Sequence, residues 1–206
     1  MINWYLNLAY PVQALIATLF TWAITSLGAA VVFIFKKMNK TTMDAMLGLS
    51  AGVMLAATFW SLLSPALEMA ENLELTPWLI VSLGVLSGGL LLYTGDKIFA
   101  KLTKKKSNSN SIKRSLMLIF SITLHNIPEG MAIGVAFGSV FYNLDGATLT
   151  SAVMLAIGIG IQNFPEGSAV SLPLRREGMK RSKAFLFGVL SGIVEPISAV
   201  IGAILV

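Results

Sequence analysis

Hydrophobic residues make up 55% of the 206 and charged residues 12%, with a mean hydropathy of +0.77; that is far too apolar for a soluble domain. The basic pI of about 9.6 raises nucleic acid as a partner, but all 15 Lys and Arg fall in three connections between apolar runs, and that placement suits a polytopic membrane protein and no nucleic acid. The absence of cysteine rules out a disulfide framework and a thiolate metal site.

Six apolar stretches, at 8–35, 47–67, 78–99, 115–140, 148–174 and 184–206, are long enough to cross a bilayer as helices. The expected fold is therefore all-α, a single polytopic membrane domain over 1–206 with six transmembrane helices. The first stretch has no Lys or Arg before it and exceeds a signal-peptide core, so it reads as a retained span. The basic connections, Lys36 to Lys40, Lys97 to Arg114 and Arg175 to Lys183, follow spans one, three and five. By the positive-inside rule they are cytoplasmic, which places the N-terminus, the Glu68, Glu71 and Glu74 loop and the turn at 143–145 outside a cytoplasmic membrane.

Along span one, Gln13, Thr18, Thr21, Thr25 and Ser26 are expected to hydrogen-bond between helices. In span two, Met54, Ser61 and Glu68 recur every seven residues and share a face. They form either a cation entrance or a packing methionine with a solvated end charge. Span three carries Gly84, Ser87, Gly88 and Gly89, a close-packing face. The connection at 100–114 reads as a flexible basic linker, and having no histidine it is not a metal-sensing loop.

Spans four and five carry one polar motif twice. His125-Asn126-Ile127-Pro128-Glu129-Gly130 and Gln162-Asn163-Phe164-Pro165-Glu166-Gly167 stand 37 positions apart. After the first copy, Gly130, Gly134 and Gly138 follow at four-residue spacing and invite another helix to approach. Span six has Glu195-Pro196 half way along, with Gly188 and Gly192 before it. The chain stops on Ile-Gly-Ala-Ile-Leu-Val without an interfacial cap, which suggests an absent C-terminal piece.

Glu129, Glu166 and Glu195 thus sit inside apolar spans, where a charge costs roughly 2.5–3.5 kcal/mol even on a lenient insertion scale. Every Lys and Arg is in a connection, so the neutralising charge must be protons or a bound cation. Helical spacing favours the cation: His125 and Glu129, and Gln162 and Glu166, are four apart and face the same way. Pro128 and Pro165 free the carbonyls of Leu124 and Ile161 beside these ligands. Imidazole with carboxylate suits zinc, iron(II) or manganese, and the open, oxygen-rich set differs from a closed structural zinc site. A proton relay and plain polar glue are the competing readings. A His-Glu-x-x-His hydrolase is not available to a chain with one histidine, and no enzymatic activity is expected.

These motifs, with Val194-Glu195-Pro196 and the Leu172-Pro173-Leu174-Arg175 exit from span five, resemble the ZIP family of divalent-metal transporters, specifically its GufA-like bacterial branch. The likeness covers the whole chain. It implies a fold of eight helices, here C-terminally shortened by two, that moves zinc, or else iron(II) or manganese, toward the cytosol. It further implies a binuclear site: one metal on His125, Glu129, Gln162 and Glu166, the second on Asn126, Asn163 and Glu195 with Glu129 and Glu166 as bridges. Met54, Ser61 and Glu68 match family positions on the outward approach. In the family picture the spans at 8–35, 115–140, 148–174 and 184–206 move against a scaffold that includes 47–67 and 78–99, and the transporter is a homodimer. A proton- or sodium-coupled carrier or channel, and a non-transporting membrane metal-binding protein, remain the rival expectations.

Overall fold

The computed structural model describes residues 4–5, 7–35, 40–104, 110–144 and 147–206. Among them the long regular elements are all helical: α1 (Tyr10–Ile34), α2 (Lys40–Ala57), a π-helical stretch (Thr58–Leu63), α3 (Ser64–Asn72), α4 (Pro77–Lys104), α5 (Asn110–Phe141), α6 (Leu149–Arg176), α7 (Arg181–Gly192) and α8 (Val194–Ile204). The expected second span is thus α2 running through the wide π turns into α3, and the sixth is α7 and α8 joined at Ile193.

Among the described residues five segments are long and apolar enough to cross a membrane: Tyr10–Ile34, Ala51–Asn72, Pro77–Lys101, Leu116–Phe141 and Arg181–Ile204. The fifth expected span, α6, has 28 residues and the length to cross, but Gln162, Asn163 and Glu166 dilute its apolar character. It is instead deeply enclosed, with Gln162, Asn163, Pro165, Glu166 and Gly167 all buried. Helix also covers 100–104 and 110–114, so the linker expected at 100–114 is narrower than its composition suggests. Its middle, 105–109, and the basic residues Lys36 and Lys37 lie outside the described residues, as does Asp145 of the predicted outer turn.

Local chemistry explains the helix ends. Pro11 stands in the first turn of α1, where its missing N–H costs nothing. Thr148 caps α6 by accepting from Ser151 N at 3.1 Å, while Ser151 Oγ returns to Thr148 N, a reciprocal capping box. Arg175 and Arg176 occupy the last turn of α6, favourable against its negative end, and Gly178 turns the chain at φ +94°.

The packed heart is α1, α5, α6, α7 and α8. One apolar cluster joins Ala14, Ile133, Phe137, Ile159, Ala199 and Ala203; a second joins Val31, Val32, Val170, Leu172, Leu174 and Ala184. The predicted glycine stripe on α5 is the seat of α8: a Cβ on Gly134 would run into the Ala199 carbonyl oxygen. Gly167 does the same for α1 and α6, since a Cβ there would strike the Thr25 carbonyl. By contrast α4 has 0% of its apolar window buried, and a Cβ on Gly84, Gly88 or Gly89 would meet nothing within 4 Å. The close-packing face expected on span three is therefore open here. Leucines outside and polar groups inside are what hydrocarbon demands, because lipid tails are as apolar as leucine.

Substituting leucine at Gly134 or Gly167 should destabilise the bundle by at least about 1–3 kcal/mol, the usual overpacking cost. Thermal unfolding in detergent should show a marked drop for either variant and none for Gly84→Ala.

Candidate metal centre

The doubled motif comes together where α1, α5, α6 and the start of α8 meet. α5 supplies His125, Asn126 and Glu129, α6 supplies Gln162, Asn163 and Glu166, and α8 supplies Glu195. Six of these seven side chains are buried: Asn126 and Asn163 0% exposed, Glu195 0%, Glu166 2%, Gln162 5% and Glu129 7%. His125 is the open member, with 40% of its side chain exposed.

Two hydrogen-bonded groups result. In the first, His125 Nε2 lies 3.1 Å from Glu129 Oε1, as four-residue spacing on a helix dictates, and Gln162 Nε2 donates to the same oxygen. In the second, Asn163 Nδ2 donates to both oxygens of Glu195, at 3.0 and 2.8 Å, and Thr21 Oγ1 donates to Glu195 Oε2 at 2.7 Å. Thr21 therefore makes the interhelical bond expected of the span-one hydroxyls. Thr18 and Thr25 bond to carbonyls of their own helix.

Glu166 stands beside Asn126 and within electrostatic reach of both Glu129 and Glu195. Asn126 is anchored from the other side, donating through Nδ2 to the Ser191 carbonyl at 3.0 Å. That carbonyl is available because α7 ends at Gly192, and the last carbonyls of a helix lack intrahelical donors.

Five acceptor oxygens in this cluster are buried with no hydrogen-bond partner: Glu129 Oε2, both Glu166 oxygens, Asn126 Oδ1 and Asn163 Oδ1. His125 pairs with Glu129, and among the described residues no lysine or arginine stands against the three carboxylates of the cluster. Buried polar atoms are normally satisfied, so a group of orphaned oxygens, all acceptors, has the character of an electronegative site for an electropositive guest. Among the described residues no three His, Asp or Glu side chains gather tightly enough to hold an ion unaided. The amide oxygens are the remaining donors.

Two cavities adjoin the cluster. One of about 210 Å³ touches Met54, Thr58, Leu62, His125, Glu129 and Gln162 and runs beside Leu155 and Ile159 of α6. The other, of about 570 Å³, touches Met54, Asp96, His125 and Glu166 and runs beside Ala169 and Pro173. They lead toward opposite ends of α6, and Met54, Leu92 and His125 line both.

Of the three residues read as an entrance stripe, Met54 faces the cavities. The side chain of Ser61 lies outside the described residues, and Glu68 is exposed and lines neither cavity. The seven-residue spacing assumed a regular α-helix; the π-helical stretch widens the turns between Met54 and Glu68, and the face carrying Met54 continues through Thr58 and Leu62. Sequence reasoning passed over Asp96, which sits in α4 with Oδ1 buried and unpartnered. Its signal was available: an acidic residue just past Gly95, inside a predicted helix.

Thr21→Val keeps shape but removes a hydroxyl donor from a buried carboxylate, and should cost about 1.5–3 kcal/mol if Glu195 is ionised. Thr18→Val, which loses only bonds within its own helix, should cost less; chemical denaturation in detergent compares the two.

The family model described as ZIP zinc transporter matches residues 8–115 and 105–206. Among curated relatives, zinc transporter ZIP11 of Xenopus tropicalis is 35% identical over 268 residues, covering 93% of this chain and 80% of that one. Zinc transporter ZIPB of Bordetella bronchiseptica is 38% identical over 189 residues, 88% of this chain and 59% of its own. Zinc transporter GufA of Myxococcus xanthus is 32% identical over 197 residues, 92% of this chain and 75% of its own.

Proposed function

The chain belongs to the ZIP zinc transporter family, and we propose that it carries zinc, or a divalent ion of similar chemistry, toward the cytosol through the carboxylate and amide cluster between α5 and α6. It is a transporter of a multi-pass membrane family and not an enzyme. The observation that carries the site assignment is the set of five buried, unpartnered oxygens with no lysine or arginine beside them among the described residues. Bound divalent cations would satisfy these acceptors together, whereas a proton on a carboxylate would leave the amide oxygens without a partner.

In this reading one ion is held by His125, Glu129, Gln162 and Glu166. A second takes Asn126, Asn163 and Glu195, with Glu129 and Glu166 bridging. Imidazole with oxygen donors fits zinc and also accommodates iron(II) or manganese. The amide N–H bonds now made by Gln162 to Glu129 and by Asn163 to Glu195 would have to turn so that the amide oxygens face the ion. Those bonds therefore keep the carboxylates in place between passages.

The cavity beside Leu155 serves as the outer approach and the one beside Pro173 as the inner exit, with the N-terminus outside the cytoplasmic membrane. Alternating access then follows from α1, α5, α6, α7 and α8 moving against α2, α3 and α4. Their division supports that assignment: the first five share the packed clusters, and α4 stands nearly bare.

Vesicles containing the purified chain and a zinc-sensitive dye test this directly. Zinc entry should be lost in Glu166→Ala. Proton flux indifferent to zinc, or zinc binding without entry, would overturn the transport assignment for this site.

Glu166→Gln relieves a buried carboxylate that has no partner, so it should raise the melting temperature of the metal-free protein. The same change should erase the stabilisation by zinc, which in the parent protein reaches about 2.7 kcal/mol at a hundredfold excess over Kd. His125→Ala should weaken the first ion more than the second; calorimetry showing equal losses would remove the two-ion arrangement.

A further inference from the structure

A third cavity, of about 610 Å³, lies away from the metal cluster where α5, the end of α6 and α7 meet. Its walls are Leu116 and Ile119 of α5 with Leu186 and Phe187 of α7, and its rim carries Lys180 and Lys183. The apolar walls belong to the two segments that begin their membrane crossing here, Leu116–Phe141 and Arg181–Ile204. Leu116 is 37% and Leu186 51% exposed, so the groove opens sideways toward lipid.

Charge and apolar surface are thus layered as they are in a leaflet. Glu177 also lines the rim, yet the connection that carries it holds Arg175, Arg176, Lys180, Arg181 and Lys183 and is strongly positive. Lysine stems lie along apolar surface while the ammonium reaches the interface, and basic pockets between transmembrane helices hold anionic headgroups. A soluble phosphate would use the rim but leave the walls unexplained.

We propose that this groove is a binding site for an anionic phospholipid of the leaflet facing the basic connections. Its phosphate would sit between Lys180 and Lys183, with one acyl chain along Leu116, Ile119, Leu186 and Phe187. The bound lipid fills the seam between α5 and α7 and so ties two helices that flank the metal cluster. The proposal does not depend on which ion the transporter carries.

The test is the relative association of spin-labelled phosphatidylglycerol and phosphatidylcholine with the full chain in nanodiscs, read from the immobilised component of the spectrum. Phosphatidylglycerol should be preferred. Lys180→Gln and Lys183→Gln should each reduce that preference by roughly tenfold, the loss of one hydrogen bond to a charged group. Arg176→Gln, which changes an exposed charge of the same connection outside the groove, should leave it nearly unaltered. Leu186→Trp should lower retention by obstructing the apolar wall without altering charge.

Equal association of the two lipids would overturn the proposal. So would an Arg176→Gln effect as large as those of the lysines, which would mean diffuse surface charge, and so would full retention in Leu186→Trp. Displacement of the label by water-soluble glycerol phosphate would also overturn it, because the rim alone would then be the site.

Discussion

Three glutamates enclosed among helices, with no lysine or arginine among the described residues to meet them, set the terms for everything else in this molecule. An uncompensated carboxylate in hydrocarbon is costly, and hydroxyl, amide and imidazole groups moderate that cost. Thr21 and Asn163 hold Glu195, while Gln162 and His125 hold one oxygen of Glu129. Glu166 receives no such bond. A lysine in the same place would make a permanent salt bridge. Amides and hydroxyls keep the oxygens positioned yet can be turned aside.

Close backbone approach is what allows this arrangement. The glycines of α5 bring α8 so near that Glu195 reaches the α5 and α6 motif, and Gly167 brings α1 near enough for Thr21 to join it. The interruption at Ile193 has a parallel effect, because ending α7 at Gly192 frees the Ser191 carbonyl that anchors Asn126. Glycine and broken helix are ordinarily weaknesses in a membrane span. Here the freed polar groups are taken up inside the bundle, the condition on which irregular backbone is tolerated at membrane depth.

The cavities give the cluster two sides. Both reach His125, the one half-open member of the set, and both reach Met54 and Leu92 across from it. One residue from each of α2, α4 and α5 thus stands where the two spaces approach each other. A small relative shift of α5 against α2 and α4 would enlarge one space at the expense of the other, which is the geometric requirement for exposing a site to one side at a time.

Much of this was legible in the chain itself. Hydropathy and the segregation of basic residues dictate a helical membrane bundle, because length and transfer energy act on each segment separately. The doubled motif and its four-residue spacings dictate which side chains share a helix face, and the paired contact of His125 with Glu129 follows from helix geometry alone. The glycine spacing on α5 announced a close neighbour but not its identity, which is α8. Only the tertiary structure could join Thr21 to Glu195, set Asn126 between Ser191 and Glu166, or bring Asp96 to a cavity, since these pairings link residues far apart in sequence. It also carries the face of Met54 on through Thr58 and Leu62, because a π-helical turn is decided by packing that a periodicity count cannot register. Spacing in sequence fixes faces; which faces meet depends on how whole helices pack, and that is a property of the assembled bundle.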